Sequence, residues 1–261
     1  MARVLKLSYH FIVMETAIVI RTKNEEKWIG VLLDKLFRQT YQDFEVIIVD
    51  NGSRDQTLAV ARKFPVNIFE IPPKSFSYPY ALNYGIARSQ ATRYLVIMSA
   101  HSIPVSDTWL VDSLKNFNLR QNVMGVDGSR RALPGATFWD LFFINGNTFL
   151  QLLLKGEKSR IISKPRAGVL AFTNAIIRKD LWDKKQFNEI YGAGGEDWEW
   201  MCFWFKQGYI VVRDPKCVVL HSHGLGLWGW IQQYRYWKSL SKPRPFQLLS
   251  FRKDSIHSPQ I

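Results

Sequence analysis

The chain has 261 residues, enough for one large hydrophobic core or at most two small ones. Its 47% hydrophobic and 14% aromatic content excludes a disordered chain, and its two cysteines exclude a disulfide framework and fit a reducing cytoplasm. The formal net charge of +13 predicts polyanionic neighbours such as nucleotide diphosphates, anionic lipid or nucleic acid, and no apolar run reaches the roughly 20 residues that span a membrane.

Strands and helices alternate through the first half of the chain. Short, almost wholly apolar runs are typical of parallel strands that are covered on both faces, and they are found at residues 16–20, 44–49, 66–71, 94–98 and 123–127. Segments with helical periodicity lie at residues 24–38, 55–64, 78–89 and 108–119. Repeated units of this kind predict an α/β fold, with a Rossmann-like, mostly parallel sheet flanked by helices.

The second half of the chain interrupts this rhythm. Residues 129–166 combine aromatic and basic side chains, and we interpret them as a partly helical insertion over the active site. The core is predicted to resume with a strand at 168–173, a helix at 196–206 and strands near 209–212 and 218–220. The predicted organisation is an N-terminal extension (1–15), a single domain (16–223) and a basic, aromatic C-terminal segment (224–261) that begins with a helix.

Polar residues follow three of the predicted strands. Residues 21–25 follow the first strand, 50–53 the second and 99–101 the fourth. Ligands of open α/β sheets bind beyond the carboxyl ends of the strands, so these loops are expected to form one site. Asp50 opens an Asn-Gly turn, and its carboxylate could also accept the imide N–H of a uracil or thymine ring. Glycine patterns of the dinucleotide or P-loop kind do not follow the first strand, which disfavours a nicotinamide enzyme or an NTPase.

Two adjacent carboxylates, Glu196 and Asp197, follow a glycine-rich run at the start of a predicted helix. Acidic residues are common at helix N-termini, where the helix dipole stabilises them. The glycines before the pair and the aromatic side chains of Trp198 and Trp200 after it favour a functional role, with the indoles as a platform for sugar rings.

Residues 19–25, 49–53, 99–101 and 196–197 together resemble the inverting family-2 glycosyltransferases of the GT-A fold, over residues 16 to 223. The resemblance implies transfer of a hexosyl or deoxyhexosyl group from a nucleotide-diphosphate sugar to a hydroxyl of a polysaccharide, a lipid-linked saccharide or a similar glycoconjugate. It implies that Asp197 is the catalytic base and that Glu196 orients it or binds the acceptor. The residues implied around the nucleotide sugar are Arg21, Thr22, Asn24, Glu25, Asp50, Asn51 and Ser99.

The metal loop departs from the family pattern, because Ser99 replaces the first aspartate and His101 the last. The expected cofactor is a divalent metal, Mn²⁺ or Mg²⁺, and imidazole favours manganese. The expected ligands are His101 and His221, with His223 as the alternative to His221. The competing interpretation is a structural His101 and a leaving diphosphate held by basic side chains, first among them Arg130, Arg131 and Arg166.

The helix expected at residues 227–240 mixes tryptophan and tyrosine with arginine and lysine. This composition predicts peripheral association with an anionic membrane at its cytoplasmic face, although a helix packed on the core would look similar. Two rival functions stay open: a catalytically silent relative that binds a nucleotide sugar, and a basic nucleic-acid-binding protein. Nucleic acid is not expected, because the polar loops converge on one edge of the sheet.

Overall fold

The computed structural model describes residues 14–166, 168–192 and 194–240. The predicted N-terminal extension, apart from its last two residues, and residues 241–261 of the predicted C-terminal segment lie outside the described residues. Met14 and Glu15 accept backbone hydrogen bonds from Thr92 and Arg93, so the described chain enters the fold beside the strand that starts at Tyr94.

One nine-stranded sheet organises the described residues, in the order β3-β2-β1-β4-β8-β6-β9-β5, and β7 also pairs with β9. The strands are β1 Thr16–Thr22, β2 Phe44–Asp50, β3 Asn67–Glu70, β4 Tyr94–Ser99, β5 Ile103–Pro104, β6 Val123–Arg131, β7 Arg160–Ile162, β8 Asn174–Arg178 and β9 Ile210–Leu220. Strands β1 to β4 are parallel to their neighbours in this group, and β8 runs antiparallel between β4 and β6.

Helices cover both faces of the sheet. They are α1 Ile29–Phe37, α2 Thr57–Ala61, α3 Tyr78–Ile86, α4 Trp109–Lys115, α5 Phe138–Asp140, α6 Gly146–Lys155, α7 Lys179–Lys184, α8 Glu196–Lys206 and α9 Leu227–Leu240. Helices α1 and α4 share one buried hydrophobic cluster with the sheet, and α3, α7 and α8 share the other. Alternate residues of β1 and β4 point into the two clusters, which explains why the central residues of these strands are apolar on both faces. The predicted α/β sheet flanked by helices is confirmed.

The predicted strand at residues 168–173 is wrong, because the strand lies at Asn174–Arg178. Gly168 and Leu170 have φ angles of 73° and 53°, which are incompatible with an extended strand. Val169, Leu170 and Phe172 are nevertheless buried, since this irregular loop contributes its apolar side chains to the core. The two strands expected near 209–212 and 218–220 form one long irregular strand, β9.

The predicted insertion at 129–166 begins inside β6, which extends to Arg131. Helix α5, a π-helical turn at Leu141–Asn145 and α6 then follow without interruption, and β7 comes after them. Within the part of the chain that the structure describes, no helix is both long and apolar enough to cross a membrane.

Candidate active site

The parallel register brings the first three polar loops to one edge of the sheet. Thr22 pairs with Asp50 on β2, and Arg21 pairs with Ser99 on β4. Hydrogen bonds then tie the loops together. The backbone N–H of Asn24, whose φ is 54°, donates to Ser53 Oγ at 2.9 Å, and its side-chain oxygen accepts the N–H of residue 54 at 2.9 Å.

Asp50 is fully buried and holds its own turn. One carboxylate oxygen accepts the backbone N–H groups of Gly52 and Ser53, each at 2.8 Å, and the other accepts the Ser53 hydroxyl. The side-chain oxygen of Asn51 and the hydroxyl of Thr22 are also buried, and neither has a hydrogen-bond partner within the described chain. Thr22 at the end of β1 and Asn51 after β2 thus each have a buried polar atom that is available to a ligand at this edge of the sheet.

Histidines from two loops meet above β4. Nδ1 of His101 donates to Oε1 of Glu25 at 2.7 Å, which links the loop after β4 to the loop after β1. The His101 and His221 rings stack with centroids 4.6 Å apart, and Nδ1 of His221 lies 3.1 Å from the Ser102 hydroxyl. Burial, and then the proximity of His101, lowers the pKa of His221 well below its usual value and that of His223 to about 4. Both imidazoles are therefore neutral at physiological pH.

Glu196 and Asp197 occupy the first turn of α8, after Gly194 and Gly195 with φ angles of 120° and 102°. Only glycine adopts these angles readily, so the sequence Gly-Gly permits the sharp turn into the helix. Burial, and then the Asp197 charge, raises the pKa of Glu196 to about 7 against the opposing effect of Arg21. Burial also raises the pKa of Asp197. A carboxylate with a raised pKa is a stronger base.

Two arginines lie beside the carboxylate pair. Nη1 of Arg21 is 3.6 Å from Oε1 of Glu196, an ion pair too long for a hydrogen bond, and the guanidinium lies 4.7 Å from the Tyr78 ring centroid. Nη2 of Arg21 donates to the Phe172 carbonyl, and Nε of Arg130 donates to the hydroxyl of the next residue, Thr173, at 2.9 Å. Nη1 of Arg21 and Nη2 of Arg130 are buried without a hydrogen-bond partner among the residues described.

The tryptophans that follow the carboxylates do not form the expected pair of platforms. Trp200 is fully buried in the core, and its indole N–H donates to the Lys185 carbonyl at 2.7 Å. Trp198 is half-buried against the same core. In a helix, residues two positions apart point in different directions, so the two indoles could not face one ligand.

Sequence reasoning missed two side chains of this cluster. Tyr78 starts α3 and stacks on Arg21, but it stands outside any motif. Thr173 was assigned to a strand that does not form, although it is the residue that orients Arg130. A better signal for Thr173 is its position immediately before the apolar run of β8.

The family model for glycosyl transferase family 2 matches residues 17–184. This chain belongs to glycosyl transferase family 2. Its relatives include the O-antigen chain rhamnosyltransferase WbaN of Salmonella anatum, 31% identical over 186 residues, or 71% of this chain and 59% of the relative. The O-antigen chain rhamnosyltransferase RfbN of Salmonella typhimurium is 26% identical over 213 residues, or 80% of this chain and 67% of the relative. The family-2 chain thus spans about three fifths to two thirds of the length of these relatives.

Solved structures support the GT-A fold of this family-2 protein. The mannosyltransferase PcManGT from Pyrobaculum calidifontis, in complex with GDP-Man and Mn²⁺, aligns with a TM-score of 0.63 and 19% identity over 86% of this chain and 61% of its own. Glucosyl-3-phosphoglycerate synthase from Mycobacterium tuberculosis, in complex with Mn²⁺ and UDP, aligns with a TM-score of 0.62 and 13% identity over 87% of this chain and 78% of its own. At these identities the likeness is one of fold.

A divalent ion in this family-2 site would have one histidine as its protein ligand. Among the described residues, no three His, Cys, Asp or Glu side chains form a ligand group. The stacked planes of His101 and His221 differ by only 18°, so their in-plane lone pairs cannot both point at one ion about 2.1 Å away. His101 fits the role, because the Glu25 carboxylate fixes the proton on Nδ1 and leaves Nε2 as a lone-pair donor, as is usual for metal-bound histidine.

Proposed function

We propose that this protein is an inverting glycosyltransferase that transfers a sugar from a nucleotide-diphosphate donor to a hydroxyl group of a saccharide. The observation that carries the proposal is the pair Glu196 and Asp197 at the start of α8, next to the partly unpaired guanidinium groups of Arg21 and Arg130. Two carboxylates for the acceptor and two cations for the leaving group are what this transfer needs. Membership of family 2 supports the reaction class.

Asp197 is the proposed base. It takes the proton of the acceptor hydroxyl while the hydroxyl oxygen attacks C1 of the sugar opposite the departing diphosphate, through a transition state like that of glycoside hydrolysis. Its raised pKa strengthens it for this step. Because the pKa of Glu196 is about 7, part of the protein molecules carry a protonated Glu196 at neutral pH. A protonated Glu196 is neutral and attracts Arg21 less strongly.

Arg21 and Arg130 are proposed to bind the oxygen atoms of the leaving diphosphate. Each has a buried N–H group without a partner in the described part of the chain, and fixed donors of this kind stabilise negative charge that develops in a transition state. A divalent ion, Mn²⁺ in preference to Mg²⁺, would neutralise the same charge, and His101 would hold it. Asn24, Glu25, Asp50, Asn51, Thr22 and Ser99 stay proposed as the residues that shape the nucleotide loop.

The proposed donor sugar is a deoxyhexose and the proposed product is an envelope polysaccharide, because the two relatives described above are named O-antigen rhamnosyltransferases. The proposed acceptor is a lipid-linked saccharide at the cytoplasmic face of a membrane. The net charge of +13 supports both an anionic donor and an anionic membrane surface.

The test is Asp197→Asn. Release of nucleoside diphosphate from labelled UDP-, GDP- and dTDP-sugars, with a lipid-linked saccharide as acceptor, should fall by about 10² to 10⁴-fold when the general base is lost. Binding of the nucleoside diphosphate, measured by thermal shift, should stay near that of the wild type. Asp112→Asn is the control, because this carboxylate is exposed and pairs with Lys115 on α4. Turnover of Asp197→Asn within a few-fold of wild type would refute the assignment, and donor binding without turnover by the wild type would identify a catalytically silent relative.

A further inference from the structure

The helical segment formed by α5, the π-helical turn and α6 presents its apolar side chains to the outside. Seven large apolar side chains are between 45% and 69% exposed, and they are Phe138, Leu141, Phe142, Phe149, Leu150, Leu153 and Leu154. They recur three, four or seven residues apart, which is one or two helical turns, so they form one stripe, the outer stripe, along this segment.

The opposite side of the segment is held to the protein by polar contacts and by the packing of Phe143 on Trp230. Asp140 accepts the indole N–H of Trp230 at 2.9 Å, and Thr148 donates to a backbone carbonyl of β6 at 2.7 Å. Asn145 accepts a backbone N–H directly after β6 at 2.8 Å. An ordinary surface helix has polar residues on its outer face, where this segment has apolar ones. An exposed patch of seven large apolar side chains is typical of an interaction surface, so we expect the outer stripe to contact an apolar partner.

The outer stripe lies in a basic part of the chain. Residues 131–166 contain six arginines and lysines but only two acidic residues, and one of these, Asp140, is buried. Two cations, Arg131 and Lys216, and one carboxylate, Glu157, line the groove beside Leu152 on the edge of α6. Helix α9 has no acidic residue, and its Trp228 is 76% exposed. The surface thus combines apolar side chains with cations, and an indole lies on the adjoining helix.

We propose that the outer stripe inserts into the headgroup layer of an anionic phospholipid membrane. A bilayer offers both an apolar phase and negative charge, whereas a second copy of this chain would bring two sets of cations together around a two-fold axis. The 18-residue segment is about 27 Å long, a length suited to an interfacial helix that lies in the plane of the membrane. The sequence placed membrane contact on α9 alone, and the structure assigns its main part to α5 and α6.

The outer stripe adjoins the candidate active site. The Phe143 and Trp230 rings are 5.1 Å apart, and Trp230 is 5.4 Å from the His223 ring, so the segment, α9 and the histidine loop form one contiguous edge. A protein bound through this edge has its histidine loop close to the membrane surface. The inference rests on the proposed function in one respect only, that a lipid-linked acceptor would then lie within reach of Asp197.

The experiment measures co-sedimentation of the full chain with vesicles of phosphatidylcholine containing about 30% phosphatidylglycerol, a strongly anionic surface. The double variant Leu153→Ser/Leu154→Ser should bind at least about 30-fold more weakly, because each leucine buried in lipid contributes about fivefold or more. The control is Val31→Ser/Leu119→Ser, which removes two apolar side chains that are 46% and 55% exposed on other elements. It should bind like the wild type, and pure phosphatidylcholine should bind all three more weakly.

The proposal is overturned if the wild type stays in the supernatant, if both double variants bind equally well, or if neutral vesicles bind as tightly as anionic ones. It is also overturned, in favour of a second copy, if the protein without lipid sediments as a dimer that Leu153→Ser/Leu154→Ser dissociates. Donor binding by thermal shift and transfer to a water-soluble acceptor are measured on the same variants. Neither needs a membrane, so failure of the proposed function is distinguished from failure of the membrane surface.

Discussion

Replacing Glu196 by glutamine should remove a large pH-dependent loss of stability. The Glu196 side chain is only 5% exposed, its pKa is raised from 4.5 to about 7, and the main cause is that burial disfavours the charged carboxylate. At about 1.4 kcal/mol for each pKa unit, the difference between 4.5 and about 7 corresponds to about 3 kcal/mol of unfolding free energy.

The sign follows from where the proton is bound. Between pH 4.5 and about 7 the folded protein holds the Glu196 proton and the unfolded chain has released it, so the unfolding free energy falls as the pH rises through this window. Above about pH 7 Glu196 is ionised in both the folded and the unfolded state, and its effect on the unfolding free energy is complete. Glutamine cannot ionise, so the variant should gain about 3 kcal/mol relative to wild type between pH 4.5 and pH 8.

The assay is chemical denaturation of wild type and Glu196→Gln at several pH values from 4.5 to 8, with thermal melting as a second measurement. For a chain of this size the relative gain corresponds to roughly 6 to 10 °C in melting temperature. Glu157→Gln is the control, because that carboxylate is exposed. Its stability curve should run parallel to that of the wild type. If Glu196→Gln also runs parallel to the wild type across the whole range, Glu196 has an ordinary pKa and the account of the site given above is wrong.

Three further predictions concern binding and folding. Asp50→Ala should weaken nucleoside diphosphate binding about tenfold or more and lower stability by about 1–3 kcal/mol, because the half-buried N–H donors of its turn lose their acceptor. Unchanged affinity by calorimetry would show that Asp50 supports the turn only. His101→Ala should abolish the strengthening of nucleoside diphosphate binding by Mn²⁺ while metal-free binding changes little. Full activity of the wild type in EDTA would show instead that the arginines stabilise the leaving diphosphate without a metal ion. Asn83→Ala should destabilise the protein by about 2–4 kcal/mol in urea titrations, because its buried amide joins Trp182 and the Phe187 backbone; a loss below about 1 kcal/mol would contradict this.

The parallel part of the fold could be predicted from the sequence because its strands are recognised from local patterns of apolar and polar residues. Strands β1, β2 and β4 each have a central run of apolar residues and end in polar ones, so their order and edge follow from the chain itself. The strand β8 could not be placed, because residues 168–178 are apolar almost continuously and two left-handed residues decide where extension begins. Backbone angles of a residue such as Leu170 depend on packing across the sheet, which no local pattern records.

The candidate site, too, could be predicted from the sequence only in part. The sequence brings together the loops after β1, β2 and β4, and the structure adds the contact between Glu25 and His101. The direction of a ring is a tertiary property, so the sequence could not show that His101 and His221 stack and cannot share one ion. Nor could it show which apolar side chains of the 138–155 segment face outward, because helical periodicity gives the faces of a helix but not their orientation.

The carboxylates of the site leave buried N–H groups of the two arginines unpaired among the described residues, and a bound anion would pair with them. Arg21 and Arg130 face two carboxylates, yet each guanidinium keeps an N–H group without a partner in the described chain, and the ion pair of Arg21 with Glu196 is long. A pair built for stability would close these contacts, because an unpaired buried donor costs about 1–3 kcal/mol. The oxygen atoms of a diphosphate would supply the missing acceptors and draw Arg21 away from Glu196. Glu196 would then bind a proton more readily and leave Asp197 as the ionised carboxylate, which is the state that the proposed base requires.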